Sequence, residues 1–184
     1  MLFRSKYKMG CLNTEVNDYS NIIISNDINN VDFTGNEIKN FNSLALKLHN
    51  KYREKHNAPQ LRIDNNLSKK AQKKLNDLIN EVENKSIDND DNDIGENLCI
   101  GIDKNINIEE ACNSWYNEKA NYNYDLNKYQ NDAAHFTQMV WKETRQIGFG
   151  YSKLKKGKSY FLALYSPPGN ELFQFKNKVE TNIE

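Results

Sequence analysis

The spacing of apolar residues changes character along this chain, and each change marks an element. Over the first 35 or so positions, short apolar pieces such as Ile22–Ile24 lie scattered among Asn, Asp and Ser without a period. That predicts an extension over residues 1–35 with too little apolar surface to order itself. From Glu37 the pattern sharpens. Phe41, Leu44, Ala45, Leu48 and Tyr52 recur at helical spacing and predict a helix ending near Asn57–Pro59. Leu67, Ala71, Leu75, Leu78 and Val82 mark a second helix, with Lys69, Lys70, Lys73 and Lys74 on its wet side. A polar stretch from Lys85 to Asp93 separates it from the apolar segment Ile94–Gly101. A third helix opens on Asn107 with Glu110 three residues on, the capping-box arrangement, and buries Ile108, Ala111, Cys112 and Trp115. After an Asn- and Tyr-rich connection, His135–Trp141 has room for two helical turns at most. Two strands follow. In Ile147-Gly148-Phe149-Gly150-Tyr151 large residues alternate with glycine, and Tyr160–Tyr165 is the unbroken apolar run of a buried strand. Between them, Lys155-Lys156-Gly157-Lys158 holds the glycine a tight hairpin wants. Helices first and strands last predict an α+β layered domain over residues 36–184 rather than a doubly wound one.

Composition narrows the function classes. The 184 residues suffice for one domain with a sizeable core. Twenty-five basic side chains balance 25 acidic ones, which argues against nucleic acid as a partner. Three cysteines cannot build the dense disulfide framework of small secreted scaffolds. No apolar run is long enough to cross a bilayer, and the basic start lacks the apolar stretch of a secretory leader. Asparagine, about one residue in six, is compositional bias carried in loops and on surfaces.

The segment His135-Phe136-Thr137-Gln138-Met139-Val140-Trp141 resembles the signature of the CAP superfamily, which comprises cysteine-rich secretory, antigen 5 and plant pathogenesis-related proteins. Four further segments resemble that family's elements in the same order along the chain: His49-Asn50-Lys51-Tyr52-Arg53, Gly95-Glu96-Asn97-Leu98, Trp115-Tyr116-Asn117-Glu118 and Tyr165-Ser166-Pro167-Pro168-Gly169-Asn170. Together they span roughly residues 37–176, and the chain is most similar to the non-secreted, Golgi-associated plant pathogenesis-related type. The resemblance implies a three-layer α-β-α sandwich around an antiparallel sheet. Two departures stand out. Ala134 precedes the signature histidine where the family usually has Gly, Asp, Glu or Arg, and Ala163 replaces a cysteine of the secreted members. With the low cysteine count and the missing leader, the second departure predicts an intracellular or unconventional location, peripheral to membranes at most.

The resemblance also implies a cleft lined by two histidines and two glutamates. Glu96, Glu118 and His135 match three of those places, and Lys85 stands near the fourth. One imidazole with two carboxylates could formally hold a divalent metal, though so oxygen-rich a set discriminates poorly for zinc. An ammonium reaching the cleft would neutralise the carboxylates as a metal does. The favoured reading is therefore a polar network that fixes the cleft wall, with no cofactor beyond a weakly held divalent cation. Catalysis is the lesser reading: His135 with a neighbouring carboxylate resembles the base and orienter of a nucleophilic triad, but Gly-x-Ser-x-Gly is absent, and Cys99 lies in an apolar segment as an inert core residue. The acidic run Asp88–Asp93 departs from the calcium-loop template and reads as a solvated loop. His49 reads as a satisfied core histidine and His56 as exposed.

Membrane contact is raised by the resemblance, since that family includes lipid binders, against the plainer reading that surface lysines only keep the protein soluble. Lys153, Lys155, Lys156 and Lys158 crowd one hairpin, and lysines near an anionic leaflet each contribute about 1 kcal/mol of attraction. Met9-Gly10-Cys11-Leu12-Asn13-Thr14 fits the myristoylation template, with Gly10 and Cys11 as acylation sites if the chain is initiated or processed at Met9. The resulting expectation is a non-enzymatic protein that binds lipids, an anionic membrane surface or a protein partner through its cleft; the resemblance leaves a homodimer open to it. The alternatives are a divalent-metal-dependent activity at Glu96, Glu118 and His135, and an interaction module presenting Tyr122, Tyr124 and Tyr129.

Overall fold

The computed structural model describes residues 35–81, 93–101, 107–153 and 158–182. The extension before Gly35, with Gly10 and Cys11, lies outside that range, as do Lys85, Lys155 and Lys156. Helix α1 (Gly35–Glu54) buries Ala45, His49, Tyr52 and Arg53, while Leu44 sits at its exposed edge. It stops at Glu54, short of the expected boundary, because the chain turns at Asn57, which takes a left-handed φ of 49°. Strand β1 (Arg62–Ile63) is only two residues long. Asp64 then accepts through Oδ1 from the N–H groups of Asn66 and Leu67, both at 2.8 Å, and so caps α2 (Asn65–Glu81).

Strand β2 (Gly95–Gly101) precedes α3 (Ile108–Asn117), whose capping box forms as the spacing predicts. Glu110 N–H donates to Asn107 Oδ1 at 2.8 Å, and Asn107 N–H returns a bond to Glu110 Oε2 at 3.1 Å. Two 3-10 turns, Glu118–Asn121 and Asn131–Ala133, lead into α4 (Ala134–Val140). Strands β3 (Gln146–Lys153) and β4 (Ser159–Ser166) and the single turn α5 (Phe175–Lys178) complete the chain.

The sheet has the order β1-β3-β4-β2. Its β3–β4 and β4–β2 pairs are antiparallel, but β1 joins β3 in parallel, so the sheet is mixed rather than antiparallel throughout. Beyond the end of β1, side chains of α2 cover the open edge of β3. Gln72 Oε1 accepts from Tyr151 N–H at 3.0 Å and Ser68 Oγ from Phe149 N–H at 3.4 Å.

Strands β2 and β4 each serve two cores. Phe161, Ala163 and Tyr165 of β4 face a cluster with Ala45, Trp115, Phe136 and Trp141 from α1, α3 and the α4 region. Tyr160, Leu162 and Leu164 face the other way, onto Leu67, Ala71, Leu75 and Ile79 of α2. That is the three-layer α-β-α arrangement. The glycines of β3 let α2 come close: a Cβ on Gly148 would fall 2.2 Å from Ser68 N and 2.3 Å from Leu67 C.

Two expectations about exposure fail. His56 is fully buried: its Nδ1 lies 2.6 Å from the carbonyl of Glu180 and its Nε2 3.2 Å from Tyr116 Oη. Tyr122 is buried, and Tyr124 and Tyr129 pack against the main core, so these tyrosines do not form a sticky surface.

Candidate functional site

Four of the signature segments converge around α4. This short helix has no side-chain cap from Ala133, the residue at its own N-cap position. Glu118, seventeen positions upstream in the 3-10 turn after α3, supplies one. Its Oε2 accepts from His135 N–H at 2.9 Å and Phe136 N–H at 3.4 Å, while Oε1 lies 2.7 Å from His135 Nδ1. One carboxylate thus satisfies two orphan helix donors and holds the imidazole. The ring of His135 is buried and lies nearly parallel to Trp115, with centroids 6.1 Å apart.

The remaining signature residues are equally occupied. Thr137 Oγ1 donates to Asn170 Oδ1 at 2.6 Å, and Asn170 Nδ2 donates to the Ala134 carbonyl at 3.0 Å. Gln138 Oε1 accepts from Gly169 N–H at 2.8 Å. Gly95 packs directly beneath that amide, for a Cβ there would fall 2.1 Å from Gln138 Oε1. At the other end of α4, the fully buried guanidinium of Arg53 donates to Met139 O (2.9 Å), Trp141 O (3.0 Å), Thr144 O (3.0 Å) and Pro59 O (2.7 Å). A cation there complements the carbonyl end of the helix. Burial lowers its pKa to about 9, which leaves it charged at neutral pH.

His49 is the core histidine that its helical position predicts. Asn97 Nδ2 donates to Tyr165 Oη at 3.1 Å and to the His135 carbonyl at 3.1 Å. The Tyr165 hydroxyl then donates to His49 Nε2 at 2.9 Å, and His49 Nδ1–H to the Ala45 carbonyl at 2.8 Å. This relay requires a neutral imidazole, and burial depresses the His49 pKa to about 4. His56 shifts in the same direction, chiefly through desolvation. Both groups bind a proton more readily in the unfolded chain, so stability rises with pH. On lowering the pH from about 6.5 to about 4, His49 alone should remove about 3 kcal/mol. Urea denaturation across that window should show a steady loss, shallower in His49→Gln; a flat profile would refute burial of a neutral ring.

Glu96 is oriented differently. On β2, Leu98 and Ile100 pack onto α2, whereas Cys99 faces the opposite core and Asn97 bonds to His135 O. Glu96 shares the parity of Leu98, and its carboxylate forms an ion pair with Lys74 of α2. Lys74 is therefore half-buried at the α2–sheet boundary rather than on the wet side of its helix. Among the described residues, no group of three or more His, Cys, Asp or Glu converges as a metal could require. Cys99 is buried in the core, and burial raises the thiol pKa of Cys112 far above neutrality. Of the hairpin lysines, Lys153 and Lys158 are described, and both are half-buried.

Comparison with known proteins agrees with this architecture. The profile of the cysteine-rich secretory protein family, CAP, matches residues 46–165. The human Golgi-associated plant pathogenesis-related protein 1 is 35% identical over 133 residues, covering 72% of this chain and 86% of that protein. Among solved structures, Schistosoma mansoni venom allergen-like protein 4 superposes with a TM-score of 0.58 at 25% identity, over 77% of this chain and 94% of that one. NaASP2, solved with Zn2+, gives 0.55 at 20% identity over 77% and 87%. Motif order, layer architecture and these matches agree: the chain belongs to the CAP family.

Proposed function

We propose that this CAP domain works by binding, at an anionic lipid surface, and not by turnover. The observation that supports the non-catalytic half is the commitment of its acidic groups. Glu118 is spent on two backbone N–H groups and one imidazole, and Glu96 on an ammonium. Zinc seen with a relative such as NaASP2 does not fit this set. Lys74 already supplies the positive charge at Glu96, and loss of Glu118 to a metal would uncap α4. The divalent-metal alternative therefore requires both the Glu96–Lys74 pair and the Glu118–His135 contact to open.

The membrane half draws on the basic β3–β4 hairpin, with Lys153 and Lys158 at its described ends and Lys155 and Lys156 between them. The name of the human relative places that protein at the Golgi, which favours an intracellular membrane here. No described helix is long and apolar enough to cross a bilayer.

Two measurements test the two halves. Calorimetric titration with zinc should show no stoichiometric binding, and Glu118→Gln should cost roughly 2 kcal/mol of stability through its weaker cap. Tight zinc binding lost in Glu118→Gln and His135→Ala would reverse the conclusion. Flotation with anionic vesicles should be salt-sensitive and weakened by charge reversal at the hairpin lysines; no flotation at low salt would remove the membrane reading.

A further inference from the structure

The fold holds one aromatic ring in solvent at a backbone position that disfavours it. Phe173 is 77% exposed and has a φ of 64°. It lies in a turn closed by Gln174 N–H on the Glu171 carbonyl at 3.3 Å, where a left-handed residue is ordinarily Gly or Asn. Core packing does not account for it, because the neighbouring Phe175 provides that contact, edge-on to Trp141 at 5.2 Å between centroids. Backbone strain kept at an exposed site points toward a function for the side chain.

A second exposed apolar residue is tied to the same turn. Leu126 adjoins Asn127, whose Nδ2 donates to the Phe173 carbonyl at 2.8 Å and whose Oδ1 accepts from Lys176 N–H at 3.1 Å. Lys128 and Lys176 are exposed on the same two segments. The nearby acids are Asp125, also exposed, and Glu171, whose carboxylate accepts from Gln174 Nε2 at 2.5 Å.

We propose that Phe173 and Leu126 form a wedge that enters the interfacial layer of an anionic membrane, with Lys128 and Lys176 meeting the headgroups. One projecting ring and a leucine edge fall far short of the roughly 800 Å² per partner of a stable protein interface. At a bilayer surface, by contrast, a few apolar side chains backed by basic ones act together. The wedge rests on the membrane reading above but uses residues distinct from the β3–β4 hairpin.

Phe173→Gly tests it, since glycine removes the ring and suits the left-handed backbone, so the melting temperature should hold or rise. Flotation with phosphatidylserine-containing vesicles at low salt should then be roughly tenfold or more weaker than for the parent chain. Phe173→Trp should keep binding, and its fluorescence should shift to the blue on adding these vesicles, against the constant background of buried Trp115 and Trp141. If Phe173→Gly floats like the parent, or the tryptophan shows no shift, the wedge is wrong while the membrane reading stands. If the parent chain itself does not float, both fall together.

Discussion

Arg53→Met should cost about 4 kcal/mol of stability, a fall of order 10 °C in melting temperature for a chain of this size. The methionine fills much of the same volume but donates nothing. Four carbonyl oxygens, those of Pro59, Met139, Trp141 and Thr144, would lose a charged donor in a site with no exposure to water. Each such loss carries a desolvation penalty that packing cannot recover. Arg53→Lys should fall between the two, because an ammonium keeps the charge but cannot reproduce the planar fork that reaches several carbonyls at once. Equilibrium unfolding in urea measures both. A loss below about 1 kcal/mol for the methionine variant would mean that the end of α4 finds other donors, and the anchoring role would be wrong.

The second large effect is expected on the opposite face of the sheet. Gly148→Ala should destabilise by about 3 kcal/mol, since its methyl would meet Ser68 N and Leu67 C, backbone atoms of the first turn of α2 that cannot rotate away. Gly150→Ala should cost less. Its nearest obstacles, the carbonyl carbon and oxygen of Ala71, lie 2.8 Å from the new carbon, so a smaller displacement of the helix suffices. Near-equal stability of Gly148→Ala and the parent, by the same unfolding measurement, would show that α2 floats on the sheet instead of resting on it.

Local signals were legible where the deciding partners are near in sequence. The Asn107–Glu110 capping box closes over three residues and forms as its spacing predicts. The alternation of glycine with large residues in β3 likewise marks a strand pressed against a neighbour. The burial of β4 on both faces was legible in the unbroken apolar run 160–165, but which residues face which layer was not, because a period of two leaves no trace in such a run. The exposure expected of His56 fails for a different reason. Lys55 and Asn57 beside it are exposed, but its fate is set by Glu180, 124 positions away. Glu96, Glu118 and His135 are expected to share one network; Glu118 and His135 do, whereas Glu96 pairs with Lys74 on the α2 side of the sheet. The resemblance said nothing of Glu118 as a helix cap, since no spacing rule links a carboxylate to a helix that starts sixteen residues later. The wet-side expectation for Lys74 fails because, although a lysine beside an apolar stripe usually stays in solvent, the parity of Glu96 on β2 draws this one inward.

Strand β4 is read from both sides at once, like a two-faced ruler. Sliding it by one residue against β2 and β3 would hand Tyr165 to α2, deprive the His49 imidazole of its hydroxyl, and turn Leu162 and Leu164 toward the tryptophans. Neither layer could be repaired without spoiling the other. An added or deleted residue inside this strand would therefore be felt in both halves of the molecule, whereas the same change at either end of the strand would leave its frame intact.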